Sequence, residues 1–179
     1  SHAVAYAMIS YQCAYLLTHF QEHWVKAVLN STANDPKAQA KAITEIKSLG
    51  YGLVPIDINL AEKNWTIVDG KKLMPSFYSC KGIGETALDE IIDMRPYKSF
   101  EDMFWDEDGK WKLKKFNKRA VDSLLKIKAF DSFNEIGDGK LFCSYQHAYD
   151  VIINNWNDLR KSLKKEPDYG QRVFHEKIE

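Results

Sequence analysis

Two glycines separated by one apolar residue, Gly82-Ile83-Gly84, stand directly in front of a helical pattern. Ala87, Leu88, Ile91 and Ile92 recur on one face of that helix, and the pattern stops at Arg95-Pro96. A bend this tight between two helical pieces needs residues that tolerate positive φ, which glycine does without a Cβ penalty. The missing side chains also leave the backbone N–H groups open to a ligand. Those donors fall where the helix begins, at its unsatisfied and electropositive end.

Residues 76–95 as a whole have the layout of a helix-hairpin-helix, which grips a nucleic-acid backbone without reading bases. A phosphate oxygen fits such a bend, and Lys81 beside it adds a positive charge. The candidate contact residues are Lys81, Gly82, Ile83, Gly84, Glu85 and Thr86. A lone Gly-x-Gly is also compatible with a plain corner inside a core, and that alternative stays open here.

Net charge over the 179 residues is zero, so a polyanion would have to be held by a local patch. One exists after Gly109. Eight basic residues lie between Lys110 and Lys128, opposed only by Asp122, with Trp111 and Phe116 interleaved. Lys110, Lys112, Lys114, Lys115, Lys118 and Arg119 are the candidate phosphate contacts, of the kind that provides sequence-independent, salt-sensitive affinity. A solvated helix face is the alternative reading of a charge run alone.

The rest of the chain reads as mainly helical. Residues 3–29 are apolar nearly all round, which predicts a helix buried on most sides, with a break near Gln21-Glu22. Asp35-Pro36 opens a helix that Gly50 closes. Residues 54–59 look extended. Trp65 to Val68 and Lys71 to Met74 around Asp69-Gly70 predict a small β-hairpin. A short amphipathic piece over 100–105, a turn at 106–109 and a helix over 116–127 come next. Residues 141–163 read as a last long helix, and 164–179 as a polar, poorly ordered tail. The expected organisation is a helical part (1–50), an extended and hairpin connector (51–75), the helix-hairpin-helix module (76–133) and a helical extension with a polar tail (134–179).

Other chemistries find little support. His19, Glu22 and His23 match the His-x-x-Glu-His pattern of a zinc peptidase class, but no third ligand stands in a suitable context, so no metal site is assigned. Asp106, Glu107 and Asp108 fail the spacing of a calcium loop. Cys13, Cys80 and Cys143 form no disulfide framework or zinc spacing, which fits a reducing cytosol and a cytoplasmic location. Residues 2–21 lack Lys, Arg, Asp and Glu, yet carry Ser10, Gln12, Thr18, His19 and three tyrosines, so a buried helix of a larger protein is expected rather than a membrane span. The chain opens at Ser1-His2 within an apolar pattern, which reads as a processed, spliced or trimmed piece.

Residues 1–16 resemble the fingers helix of the bacterial C-family replicative DNA polymerases, the DNA polymerase III α subunits. Residues 52–59 resemble that family's Pro-Asp-Ile-Asn segment, residues 80–95 its glycine hairpin, and Phe130-Asp131 the close of its duplex-binding module. Order and spacing agree across residues 1–133. The resemblance implies template-directed nucleotidyl transfer by the whole polymerase, with magnesium on palm aspartates that this segment lacks. The segment itself is then non-catalytic and binds no cofactor. Its expected partners are the product duplex of primer and template, the palm and the upstream fingers. His2 and Tyr6 would lie near the incoming nucleotide, or pack. Lower similarity elsewhere implies a divergent member, with a phage gene as a candidate source. Lys128 stands where the family usually has glycine, so the second hairpin is expected to be open or differently shaped. A stand-alone DNA-binding or scaffold module is the alternative.

Overall fold

The computed structural model describes residues 2–179; Ser1, the first residue of the expected processed or trimmed piece, lies outside them. Helix α1 (His2–His19) leads into α2 (Gln21–Ser31) and α3 (Pro36–Ser48). The chain breaks at Phe20, one residue before the expected break, where φ −134° and ψ 46° leave the helical region. α3 starts as its sequence dictates. Asp35 accepts from the N–H groups of Lys37 and Ala38 at 2.9 and 3.1 Å, and Pro36 takes the first helical position.

A three-stranded sheet comes next, in the order β1 (Gly52–Leu53), β3 (Lys72–Met74), β2 (Thr66–Val68). β2 and β3 form the expected hairpin, with Ile67 opposite Leu73. Asp69 and Gly70 both have positive φ, at 46° and 77°, as the primed turn requires. β1 is an addition to the expected hairpin; it lies parallel to β3. Val25, Leu29, Ile46, Tyr51, Trp65 and Leu73 pack between this sheet and α2–α3 as a small core.

The larger core is built mainly from the helices beyond the sheet. α4 (Glu85–Asp93), α5 (Phe100–Phe104) and α6 (Lys118–Lys126) bury their apolar faces together. α6 alone contributes Ala120, Val121, Leu124 and Leu125, and burying each branched side chain stabilises by about 1.5–3 kcal/mol. α7 (Tyr145–Asn154), α8 (Trp156–Leu159) and α9 (Tyr169–Ile178) close over the same core.

Three expectations are corrected here. The single long helix over 141–163 is two helices, because the chain turns at Asn155, whose side chain donates to the Val151 carbonyl at 2.9 Å. The tail is not loose: Phe174 on α9 is fully buried against Trp105 and Phe142, at ring distances of 5.2 and 5.8 Å. α1 has no buried residue among those described: it packs chiefly against α2 and leaves its apolar surface open.

Lys128 ends α6 with φ 59°. Its N–H donates to the Leu125 carbonyl at 3.1 Å and the Ala129 N–H to the Leu124 carbonyl at 3.0 Å. These paired bonds are the Schellman closure, which ordinarily uses glycine at this position. The second hairpin is therefore closed, with a lysine in a left-handed conformation that disfavours side chains. Lys128→Gly is expected to raise stability by about 1 kcal/mol, read as a higher urea midpoint at unchanged slope; a lower midpoint contradicts the strain.

Candidate nucleic-acid interface

The bend is built from both sides. Ser76 opens a short 3-10 turn, Phe77–Ser79, by accepting from the Ser79 N–H at 3.2 Å, and Phe77 is fully buried. Burial pushes the Cys80 thiol up to about 11, so it stays protonated and unreactive. Gly82 then turns with φ 100°. The Lys81 carbonyl accepts from Ser123 Oγ on α6 at 2.7 Å. A Cβ placed on Gly82 would lie 2.9 Å from Ser123 Oγ and 3.1 Å from Arg119 Cγ. Gly82 is therefore glycine for two reasons, its dihedral and the closeness of α6.

Gly84 differs. Its φ of −81° and ψ of 156° suit any residue, and a Cβ there would meet nothing within 4 Å. It is the N-cap of α4 and offers no side chain to the helix. Among the described residues, no acceptor takes the N–H groups of Gly84, Glu85 or Thr86. These residues are exposed. The donors and the positive end of the helix thus face outward.

Glu85 places a carboxylate next to these donors. Tyr78 Oη donates to it at 3.3 Å and Lys63 Nζ stands 3.9 Å away, which draws the negative charge towards the far side of the first turn. Lys63 also pairs with Asp89.

The basic run divides. Glu90 on α4 accepts from the backbone N–H groups of Lys114 and Lys115 at 2.7 Å and of Phe116 at 2.8 Å. This one carboxylate fastens the middle of the basic segment to the helix beyond the bend, and leaves Lys114 and Lys115 exposed. Lys118 and Arg119 open α6, capped by Asn117, and Arg119 lies against Gly82. Lys112 turns inward, donating to the Asp102 carbonyl at 2.6 Å. Lys110 stands 3.7 Å from Asp108 at the tight turn over residues 106–109. The structure thus sets Arg119 against Gly82, ties the loop carrying Lys114 and Lys115 to α4 through Glu90, and engages Lys112 with α5 and Lys110 with Asp108. Ile83 is half-buried against the core. Glu90 and Ser123 escape sequence reading, because nothing in the chain marks a carboxylate or a hydroxyl as a loop fastener.

His2 and Tyr6 meet edge to face on α1, with ring centroids 4.7 Å apart. The break at Phe20 puts His19 on a different helix from Glu22 and His23, and no group of three metal-ligating side chains occurs among the described residues. No helix among them is long and apolar enough to cross a membrane.

The two glycines should separate in a stability assay. Gly82→Ala is expected to lower unfolding free energy by about 2 kcal/mol, from the left-handed dihedral and the crowding of α6. Gly84→Ala should lower it by less than about 1 kcal/mol, the difference between glycine and alanine at an N-cap. Equal losses would contradict the assignment.

Known proteins give the same reading. Residues 50–136 match the helix-hairpin-helix motif family. The chain is 31% identical to a DNA polymerase III subunit alpha of Chlamydia pneumoniae, over 97% of its own length and 13% of the relative's. It is 30% identical to the same subunit of Pseudomonas fluorescens, over 86% of the chain and 13% of the relative. A third match, to the Campylobacter jejuni subunit, reaches 34% identity over 74% of the chain and 11% of the relative. The chain thus spans a small part of the length of the curated relatives it matches. These alignments, with the helix-hairpin-helix match, make the chain a piece of a DNA polymerase III alpha-like protein.

Proposed function

We propose that this chain holds double-stranded DNA for a replicative polymerase by its backbone alone. The observation that carries the reading is the exposed bend, where the N–H groups of Gly84, Glu85 and Thr86 have no acceptor within the described residues. A phosphate oxygen would complete them. Lys81, Lys114, Lys115, Lys118 and Arg119 would neutralise neighbouring phosphates. Contacts from amides and ammonium groups to phosphates carry no sequence information, so affinity through them would be independent of sequence.

The whole polymerase would add deoxynucleotides to a primer, with the chemistry performed outside this segment. Magnesium belongs to that reaction. Among the described residues no cluster of three carboxylate, imidazole or thiolate ligands occurs. His2 and Tyr6 would belong to the fingers helix near the incoming nucleotide. The apolar surface of α1, with Val4, Tyr6, Met8, Ile9 and Tyr11 all exposed, favours a place within a larger polymerase over a stand-alone scaffold.

Gly84→Val tests the reading. The fold has room for the side chain, whereas a phosphate approaching the amides does not. Duplex affinity at low salt is expected to fall by about tenfold, the loss of one or two charge-assisted bonds. The wild-type chain should show log affinity falling linearly with log salt, at about 0.9 per phosphate neutralised. Unchanged affinity in a folded Gly84→Val chain would contradict the site.

A further inference from the structure

Asp89, Glu90 and Asp93 crowd the C-terminal half of α4, the end of a helix that disfavours negative charge. Asp89 pairs with Lys63. Glu90 has a different use. It takes three successive backbone N–H groups, those of Lys114, Lys115 and Phe116, at 2.7, 2.7 and 2.8 Å. Successive amides that converge on one point form a nest, a concavity suited to an anion. Each bond to the carboxylate is charge-assisted. The nest is filled by the chain's own carboxylate, from a helix 24 residues away in sequence.

The nest is tied to the bend through α4. Thr86, whose amide is one of the three open donors, stands one turn before Glu90, a rise of about 6 Å. Thr86, Asp89, Glu90, Asp93 and Lys115 line one cavity of about 290 Å³, so Lys115 borders the same space as the bend. Phe116, the next residue, is buried in the large core. The lysine loop is thus held at two points, by a ring in the core and by a carboxylate on the helix that the bend begins.

We infer that Glu90 is a positioning residue for DNA binding, an anion that strengthens the hold on a polyanion by fixing the lysine loop beside the bend. The inference rests on the proposed duplex-binding function. Electrostatics alone gives the opposite sign. A carboxylate on the same cavity wall as Lys115 repels phosphates, and its removal leaves the chain with one excess positive charge. Positioning outweighs that repulsion because the Glu90 charge is already spent on three N–H groups. Without the carboxylate these amides turn to water and the loop loses its fixed course. Ordering Lys114 and Lys115 against a strand then costs conformational entropy at the moment of binding.

The test uses the full chain and a DNA duplex of mixed sequence, titrated at several salt concentrations, with amide hydrogen exchange read on the same variants. Glu90→Ala should bind about tenfold more weakly at about 0.1 M salt, with a log–log salt slope smaller by up to about 1.8, the share of two lysines. The amides of Lys114, Lys115 and Phe116 should exchange faster in it. Glu90→Gln keeps a carbonyl acceptor at the same reach and should recover part of both the affinity and the protection. Asp93→Asn removes the same charge from the same cavity wall without touching the nest, and should bind slightly more tightly. A folded Glu90→Ala chain that binds as tightly as the wild type, or more tightly, overturns the inference, even if Gly84→Val still weakens binding. Equal losses in Glu90→Ala and Asp93→Asn also overturn it. If Glu90→Ala fails to fold, Glu90→Gln decides: faster exchange of the loop amides with wild-type affinity overturns the role. A wild-type chain without duplex affinity at low salt overturns both this role and the function it rests on.

Discussion

The close approach of α6 to the glycine bend is the constraint on which the rest depends. Ser123 clasps the Lys81 carbonyl and Arg119 lies along Gly82, so the bend cannot collapse onto its own helix. The same contact forces a residue without Cβ at position 82 and leaves the amides of Gly84, Glu85 and Thr86 facing solvent. Glu90 then fastens the lysine-bearing loop to α4 through three backbone bonds. Hydrogen bonds from neighbouring N–H groups to one carboxylate are charge-assisted and stronger than neutral ones. The surface is thus set by few groups, each holding a different segment.

This arrangement stands on an aromatic core that draws on distant parts of the chain. Phe100 sits 4.8 Å from Phe130, 5.1 Å from Phe133 and 5.3 Å from Phe142. Trp111 stacks on Phe104 at 5.0 Å and meets Trp156 edge-on at 5.1 Å. Trp105 Nε1 donates to the Leu159 carbonyl at 3.2 Å. Such ring pairs add about 0.5–1.5 kcal/mol each beyond area burial. The C-terminal helices therefore stiffen the platform under the bend. Gly170 lets α9 reach α8, since a Cβ there would sit 1.9 Å from the Leu159 carbonyl oxygen.

Where local chemistry decides the structure, the sequence is readable. Asp69-Gly70 announces its turn, Asp35-Pro36 its helix start, and the apolar spacing of α4 and α6 their buried faces. The bend is legible because two glycines before an amphipathic helix have few structural uses. Elsewhere distant partners decide. Lys164, Lys165 and Glu166 make the tail look polar and hide the spacing of Val173, Phe174 and Ile178. β1 is two residues long and exists because β3 offers it an edge. The basic run looks uniform in sequence, but Lys112 faces Asp102 while Arg119 faces the bend, a split that only tertiary packing creates. Lys128 breaks a rule of helix ends that the fold then obeys, closing the hairpin at the expense of backbone strain.

Three amides are the heart of the proposed interface, and their response to DNA can be read at those atoms. In a ¹⁵N-labelled chain titrated with a mixed-sequence duplex at low salt, the N–H resonances of Gly84, Glu85 and Thr86 should shift most, and downfield, as a phosphate oxygen accepts from them. The shifts should reverse on adding salt. Shifts confined to other surfaces, with these three amides unmoved at saturating duplex, would contradict the account.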